Sequence, residues 1–342
     1  MFATLLNKLY RHNDLTIEEA AAAMTEIMEG RASPAQISGL LIGLHMKGEK
    51  PTEIVGLAQA MRTSAVHLES VFHDVFDTCG TGGDGSNTFN VSSIVAIVVA
   101  ACGVRVAKHG NRSVSSRCGS ADLFEALGVQ LSLPVTLVEH CLEEVGIAFF
   151  FAPTFHPSMR HAAKTRKDLG VRTAFNLLGP LTNPAGARRQ LVGVPRPELT
   201  DLVARSLGLL GSDRVWVVHG ADGLDEISTT GYTKISEYQG GFVNTFYVHP
   251  REFGLKQAKL SSLTGGGVEE NVVIAKSVLG GERSEPREVV LFNAGAALFV
   301  AGRVGSVHEG LELAADAIDS GRAVITLEKM AKYSQGVNIV TA

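Results

Sequence analysis

The stretch Asp77–Ser93, DTCGTGGDGSNTFNVSS, constrains the fold of this 342-residue chain more than any other. Gly80, Gly82, Gly83 and Gly85 lie between a short apolar run, Val75–Phe76, and a long apolar segment that begins at Val91. That order reads as strand, glycine loop, helix. Glycine accepts positive φ and has no side chain to hold a ligand away, so such a loop can turn backbone N–H groups toward an anion. Asn90, Ser92 and Ser93 stand where helix caps are favoured, and an unpaired helix N-terminus beside hydroxyls is a phosphate site. The loop is not a Walker A loop, because Gly83 is followed by Asp84 rather than Lys-Ser/Thr, and it lacks the third glycine of the dinucleotide fingerprint. A carboxylate facing a polyphosphate needs a cation or a ribose hydroxyl between them. Asp84 therefore points to a sugar phosphate or a metal bridge.

A second polar cluster follows the apolar run Val104–Ala107. It reads Lys108-His109-Gly110-Asn111-Arg112-Ser113-Val114-Ser115-Ser116, and Cys118-Gly119-Ser120-Ala121-Asp122 closes it. The segment gathers three potential cations (Lys108, His109, Arg112), an amide and several hydroxyls, which suit phosphate. The plainer alternative is a solvated polar loop between a strand and the helix starting near Ala121. Two glycine- and donor-rich loops at strand ends instead suggest one crevice at the carboxyl edge of a sheet.

The first seventy residues read as a run of helices. Thr16-x-x-Glu19 and Ser33-Pro34-x-Gln36 have the form of capping boxes. Ile37, Leu40, Leu41 and Leu44, then Ile54, Leu57, Ala58 and Met61, recur at helical spacing. So short an all-helical segment has little interior of its own, and part of its apolar surface is expected to meet a second subunit. From Val75 the texture changes to strand-like runs at Val104–Ala107, Ile147–Phe151, Gln190–Val194 and Val215–His219. Helical patterns alternate with them at Val91–Cys102, Ala121–Leu127, Val135–Val145 and Pro197–Leu210. This alternation predicts an α/β domain with a mostly parallel sheet. Thr233–Tyr238 and Phe242–Val248 predict a hairpin through Gly240-Gly241. The tail from Val289 reads as helix, and Gly265-Gly266-Gly267 as a flexible turn.

Composition excludes several classes. The net charge is −4, with 19% charged and 45% hydrophobic residues, so the basic surface that nucleic acid requires is absent. The N-terminus has neither the long apolar core nor the cleavage site of a signal peptide, and the most apolar window, Ile94–Ala101, is too short for a bilayer. Cys79, Cys102, Cys118 and Cys141 lack CxxC spacing, which points to small filler in a reducing cytoplasm rather than to zinc or disulfides.

GTGGDGSNTFNVSS, KHGNRSVSS and GSAD, followed in order by HAAKTR (161–166), RTAFNLLGPLTNP (172–184) and HGADGLDE (219–226), resemble the signature segments of the anthranilate phosphoribosyltransferases. The resemblance spans nearly the whole chain; one departure is Ser93, where the family usually has threonine. It implies a nucleoside phosphorylase/phosphoribosyltransferase-like fold, with a small helical domain (1–70, joined by later segments near 165–190) and a larger α/β domain (71–342). The active site would lie in the cleft between them. It implies transfer of the phosphoribosyl group of 5-phosphoribosyl-1-diphosphate to anthranilate, with Mg2+ as cofactor, in a cytoplasmic homodimer paired through the N-terminal helices.

By the same resemblance the donor is held by Gly80, Gly83, Asp84, Thr88, Asn90, Val91, Ser92 and Ser93. From the second cluster Lys108, Gly110, Asn111, Arg112, Ser113, Val114, Ser115, Ser116 and Ser120 join them. Gly80, Asn111 and Arg166 would hold anthranilate, and Ser92, Asp225 and Glu226 the Mg2+. Lys108 and His109 are the candidate catalytic residues. Unsupported, Arg166 reads as a solvated cation and Asp225-Glu226 as a surface acidic pair, but the strand-like run ending at His219-Gly220 puts that pair at another strand end. A pyrimidine-nucleoside phosphorylase is expected to carry a different glycine loop, and a non-catalytic nucleic-acid-binding relative would have lost the substrate residues.

Overall fold

The computed structural model describes residues 1–70, 72–113 and 117–336. Four helices open the chain: α1 (Phe2–Tyr10), α2 (Ile17–Met28), α3 (Pro34–Lys47) and α4 (Pro51–Thr63). The two predicted capping boxes form. Thr16 Oγ1 accepts from the Glu19 amide at 3.2 Å while Glu19 accepts from the Thr16 amide at 3.0 Å, and Ser33 and Gln36 repeat the exchange. Proline occupies the first turn of α3 and α4, where its missing N–H has no partner to lose.

The rest of the chain alternates as predicted. In order come β1 (Phe76–Asp77), α5 (Val91–Ala101), β2 (Val106–Gly110), α6 (Ser120–Ala126), α7 (Val135–Val145), β3 (Ile147–Phe151), α8 (Ala152–Phe155) and α9 (Arg160–Leu169). Then follow β4 (Arg189–Gly193), α10 (Leu199–Leu209), β5 (Arg214–Gly220), β6 (Thr233–Gln239) and β7 (Phe242–Val248). The chain ends in α11 (Val268–Leu279), α12 (Glu285–Ala301), α13 (Val307–Asp319) and α14 (Arg322–Ser334). The sheet order is β3-β2-β1-β4-β5-β6-β7. The first five strands run parallel, and β6–β7 form the antiparallel hairpin expected around Gly240-Gly241. The order steps outward from β1 to β3 and then returns to β4 on the other side of β1. Loops at such a reversal splay apart and leave a crevice beyond the strand ends, and the glycine loop follows β1 directly.

Alternate strand residues feed two cores. Leu191, Trp216 and Val218 join α5 and α12 on one face, while Val192, Val215 and Val217 join α1–α4 and α10 on the other. Ala162, Ala174, Phe175, Leu177, Leu178 and Leu181 also belong to the second core. The N-terminal helices thus share their interior with the segment after α9. Beyond Ser92 and Ser93, helix α5 is buried on every side from Ile94 to Ala100, which explains the uniformly apolar sequence there. No helix among the described residues is long and apolar enough to cross a membrane.

Three local readings change. The second strand runs Val106–Gly110 rather than Val104–Ala107, because Lys108 and His109 pair in register with Phe149 and Phe150. The C-terminal helices begin at Val268, well before Val289, with Glu269 and Glu270 favouring the positive end of α11. Gly265-Gly266-Gly267 is packed, not loose. The Gly265 amide donates to the Asn87 carbonyl at 2.9 Å, and a Cβ on Gly265 would strike the backbone of Phe89.

The helical part is knotted by one buried carboxylate. Glu53 accepts from the amides of Leu15 and Lys50, each at 2.9 Å, and from Lys47 Nζ at 3.0 Å. Both side chains of that ion pair are nearly inaccessible, at 3% and 0% exposure. Removing one partner of such a pair strands the other. Glu53→Ala is therefore expected to cost about 3 kcal/mol or more of stability, with Glu53→Gln losing less, as read by chemical denaturation.

Candidate active site

A cavity of about 680 Å³ opens beyond the carboxyl ends of β1, β2 and β5. Its walls bring together Gly80, Gly83, Asp84, Thr88, Asn90, Val91, Ser92, Lys108, His109, Gly110, Asn111, Arg112, Ser113, Ser120, Arg166, Asp225 and Glu226. These segments are separated by up to about 150 residues in the sequence. Val114, Ser115 and Ser116 lie outside the described residues.

The glycine loop is shaped by backbone requirements. Gly82, Gly83 and Gly85 have φ of +62°, +77° and +72°, and the Thr81 amide ties the loop to the Gly193 carbonyl at 2.9 Å. Asp84 accepts from the Ser86 amide and hydroxyl. The helix end differs from expectation: it is not unpaired. The Ser92 amide already donates to Glu226, the Val91 amide to the Phe89 carbonyl and the Asn90 amide to Asn271 at 2.8 Å. Ser93 is likewise not brought to the cavity. It is fully buried and its hydroxyl donates to Asn90 Oδ1 at 2.9 Å, so it fixes the Asn90 side chain instead.

Asp84, Asp225 and Glu226 share one wall. Burial, then the neighbouring Asp84, pushes Asp225 up to about 7, although the Gly82 amide opposes this. Burial and Asp225 raise Glu226 well above the usual carboxylate range. Carboxylates that repel one another in a half-buried wall are short of a cation. Oxygen donors suit Mg2+, which keeps waters and completes its shell on phosphate. Among the described residues no three His, Cys, Asp or Glu side chains form a metal cage of their own, so the group fits as one shared with a ligand.

On the second strand, Lys108 is 2% exposed and its Nζ donates to the carbonyls of Thr78 at 3.2 Å and His109 at 3.4 Å. His109 is not a cation. Burial, followed by the adjacent His156, lowers its pKa to about 3. Its Nδ1 lies 3.1 Å from the Gly179 carbonyl, which can only accept, so Nδ1 carries the proton. Nε2 is left as a buried acceptor with no partner among the described residues. Arg112 is occupied, paired with Asp122 at 2.9 Å and with Glu125 at 2.8 Å. Arg166 lies 5.0 Å over the Phe175 ring, its pKa lowered by burial. The thiols of Cys79 and Cys118 are pushed up by burial to about 12 and 11, which removes them as nucleophiles.

Sequence reasoning missed Arg172, His156, Met159, Asn176 and Thr182, all of which line the cavity. Arg172, Asn176 and Thr182 stand within the signature segment 172–184, and Arg172 is also a cation two residues beyond the helix-ending Gly170.

The acid wall sets a pH dependence. A carboxyl whose folded pKa lies above its unfolded value binds more protons when folded, so stability falls as pH rises through that window, here from 3.8 to about 7. Asp225→Asn removes this penalty. It should raise stability by about 2 kcal/mol near pH 8 without metal, flatten the pH dependence of the melt, and weaken Mg2+ binding by calorimetry.

Comparison with known proteins agrees with this geometry. The model of the glycosyl transferase family a/b domain matches residues 73–324, and that of its helical bundle domain matches residues 3–65. The anthranilate phosphoribosyltransferase of Moorella thermoacetica is 52% identical over 97% of this chain and 98% of that one. That of Symbiobacterium thermophilum is 50% identical over 99% of each. The crystal structure of the Thermus thermophilus enzyme superposes with a TM-score of 0.91 at 44% identity, covering 96% of this chain and 99% of that one. The Saccharomyces cerevisiae enzyme, in complex with PRPP and Mg, gives 0.89 at 28% identity over 98% of each. With its strand order, its glycine loop and its acid wall in place, the chain belongs to the anthranilate phosphoribosyltransferases of the glycosyl transferase family.

Proposed function

We propose a division of labour among these residues for the family's reaction, attack of the anthranilate amine on C1 of 5-phosphoribosyl-1-diphosphate with release of diphosphate. That reaction, a step of tryptophan biosynthesis, is the function of this chain. The carrying observation is a single cavity that joins the glycine loop and acid wall to Arg166 and to the unpartnered His109 Nε2.

The diphosphate lies along Gly80–Gly83, with Ser92, Asp225 and Glu226 holding Mg2+ and Asp84 beside them. When bound, the cation neutralises charge on the leaving group. Thr88, Asn90 and Val91 line the same strand-to-helix passage. The 5-phosphate lies against the second loop at Gly110–Ser113, with Ser120 and the ammonium of Lys108. Arg112 reaches that phosphate only by exchanging its acidic partners. Arg166 takes the anthranilate carboxylate in a bidentate grip, and Asn111 and Gly80 border the ring. His109 Nε2 accepts a hydrogen bond from the amine. With a pKa near 3 it is a poor proton acceptor, so it aims the nitrogen lone pair at C1 rather than removing a proton. Catalysis is then positioning and charge stabilisation, with no covalent intermediate.

The chain works as two parts, 1–70 with the segment near 165–190 and the remainder of 71–342, which close on the substrates. Buried thiols at all four cysteines suit a reducing cytoplasm. A second copy pairs through the N-terminal helices, where Tyr10 on α1 and Met46 on α3 are 83% and 75% exposed. Met46→Glu should shift the mass measured by light scattering from dimer toward monomer; an unchanged monomer in the wild type removes this reading.

The direct test is loss of anthranilate fluorescence with donor and Mg2+. Arg166→Ala should raise the anthranilate KM by about 2–3 kcal/mol equivalent, the value of a charge-assisted hydrogen bond, and leave the donor KM nearly unchanged. Equal losses for both substrates would make Arg166 structural.

A further inference from the structure

Arg172 has no role in the assignments above, yet it is the cation nearest the glycine loop. A Cβ on Gly83 would overlap its guanidinium, so the guanidinium rests directly on that loop. Asp225 and Asp84 attract it and Arg196 repels it, while burial lowers its pKa. Its Nη2 is buried and has no hydrogen-bond partner among the described residues, although Arg172 lines the cavity. A guanidinium beside two carboxylates usually forms a fork with one of them. Here none of the ion pairs among the described residues includes Arg172, and its buried Nη2 stays unmet although the residue lines the cavity.

Its position in the chain adds a second observation. The segment just after it, Ala174–Leu178, belongs to the core shared with the N-terminal helices, whereas the glycine loop leads into α5 of the other core. Arg172 therefore reaches across the cavity from one core to the loop of the other.

We infer that Arg172 is a ligand of the leaving diphosphate, an assignment that rests on the reading of the cavity given above. An unpaired planar donor over a glycine loop, which has no side chains to hold a ligand away, matches an anion with several oxygens and does not match a neutral ring. When the C1–O bond breaks, its electron pair passes to the diphosphate, and the charge that develops there lies against the guanidinium. The acid wall lies close by, so Arg172 binds an anion that already carries a cation. It thereby favours the metal-complexed diphosphate over the bare acids.

The test is calorimetric titration with inorganic diphosphate in saturating Mg2+, on the whole chain, for wild type, R172A and R172K. R172A should bind about tenfold more weakly or worse, and R172K, which keeps the charge but not the fork, should fall between. In steady-state kinetics the donor KM should rise and kcat fall, with the anthranilate KM within about twofold of wild type. R172A that melts normally and binds diphosphate as wild type does would overturn the inference. So would tighter binding, which would make Arg172 only a counter-ion to Asp84 and Asp225. If R172A does not fold, R172K decides: wild-type affinity in that variant overturns it equally. A wild type that consumes no anthranilate would instead sink the reading of the cavity, so the two failures are distinct.

Discussion

A single carboxylate buried under the cavity floor, Asp77 on β1, fixes where the site residues stand. Its Oδ1 accepts from the His109 amide at 3.2 Å and its Oδ2 from Asn183 Nδ2 at 2.7 Å. Asn183 also donates to the Ala107 carbonyl at 2.9 Å, which clamps the segment after α9 to β2. Burial raises Asp77 to about 6, and Lys108 opposes that rise more than any other neighbour. The acid and the lysine are thus each other's compensation in a place where neither would persist alone. The same clamp holds Gly179 where its carbonyl meets His109 Nδ1, so the tautomer of the site histidine follows from a bond made beneath the site.

Above that floor the cavity is deliberately out of balance in charge. Asp84, Asp225 and Glu226 crowd one wall, Arg172 lies near Asp84 and Asp225 without an ion pair to either, and Arg166 has no carboxylate partner among the described residues. Neither set fully neutralises the other: Arg172 draws Asp225 down less than burial and Asp84 push it up. Each raises the free energy of the empty fold, and each is relieved by a ligand that brings a cation and several anionic groups together. A metal-complexed sugar diphosphate with an aromatic carboxylate does this; a neutral nucleoside with free phosphate supplies no partner for the acid wall. Electrostatic preorganisation of this kind is worth most in a half-buried cleft, where water cannot reorganise around the developing charge.

The sequence made the framework legible because short-range chemistry set it. The capping boxes at Thr16 and Ser33, the hairpin at Gly240-Gly241 and the alternation of strand with helix all depend on neighbours within a few residues. What it hid depended on distance in the chain. Lys108 and His109 looked like loop residues because polar side chains seldom lie in a central strand. They are strand residues because they pair in register with Phe149 and Phe150 of β3, about forty positions later, while Asp77 accepts the His109 amide. Ser93 looked like a ligand-binding hydroxyl but turns inward to Asn90, a choice made by the helical register of α5. The glycine run at 265–267 looked flexible because nothing nearby shows that Phe89 packs against it. The place of Arg172 against the glycine loop was hidden for the same reason: Gly83 lies about ninety residues away.

Two of the buried polar atoms without partners lie on the cavity wall, and their characters are opposite. His109 Nε2 can only accept, because Nδ1 holds the proton; Arg172 Nη2 can only donate. Leaving such a group unmet costs about 1–3 kcal/mol each, and neither is met by rearranging its own side chain while Gly179 and Gly83 hold their positions. The complement of a lone acceptor is an N–H, and that of a lone donor beside a glycine loop is an anionic oxygen. An arylamine and a diphosphate are those two complements. The reaction exchanges one for the other at a single carbon, so the two unmet atoms describe the nucleophile and the leaving group from the protein's side.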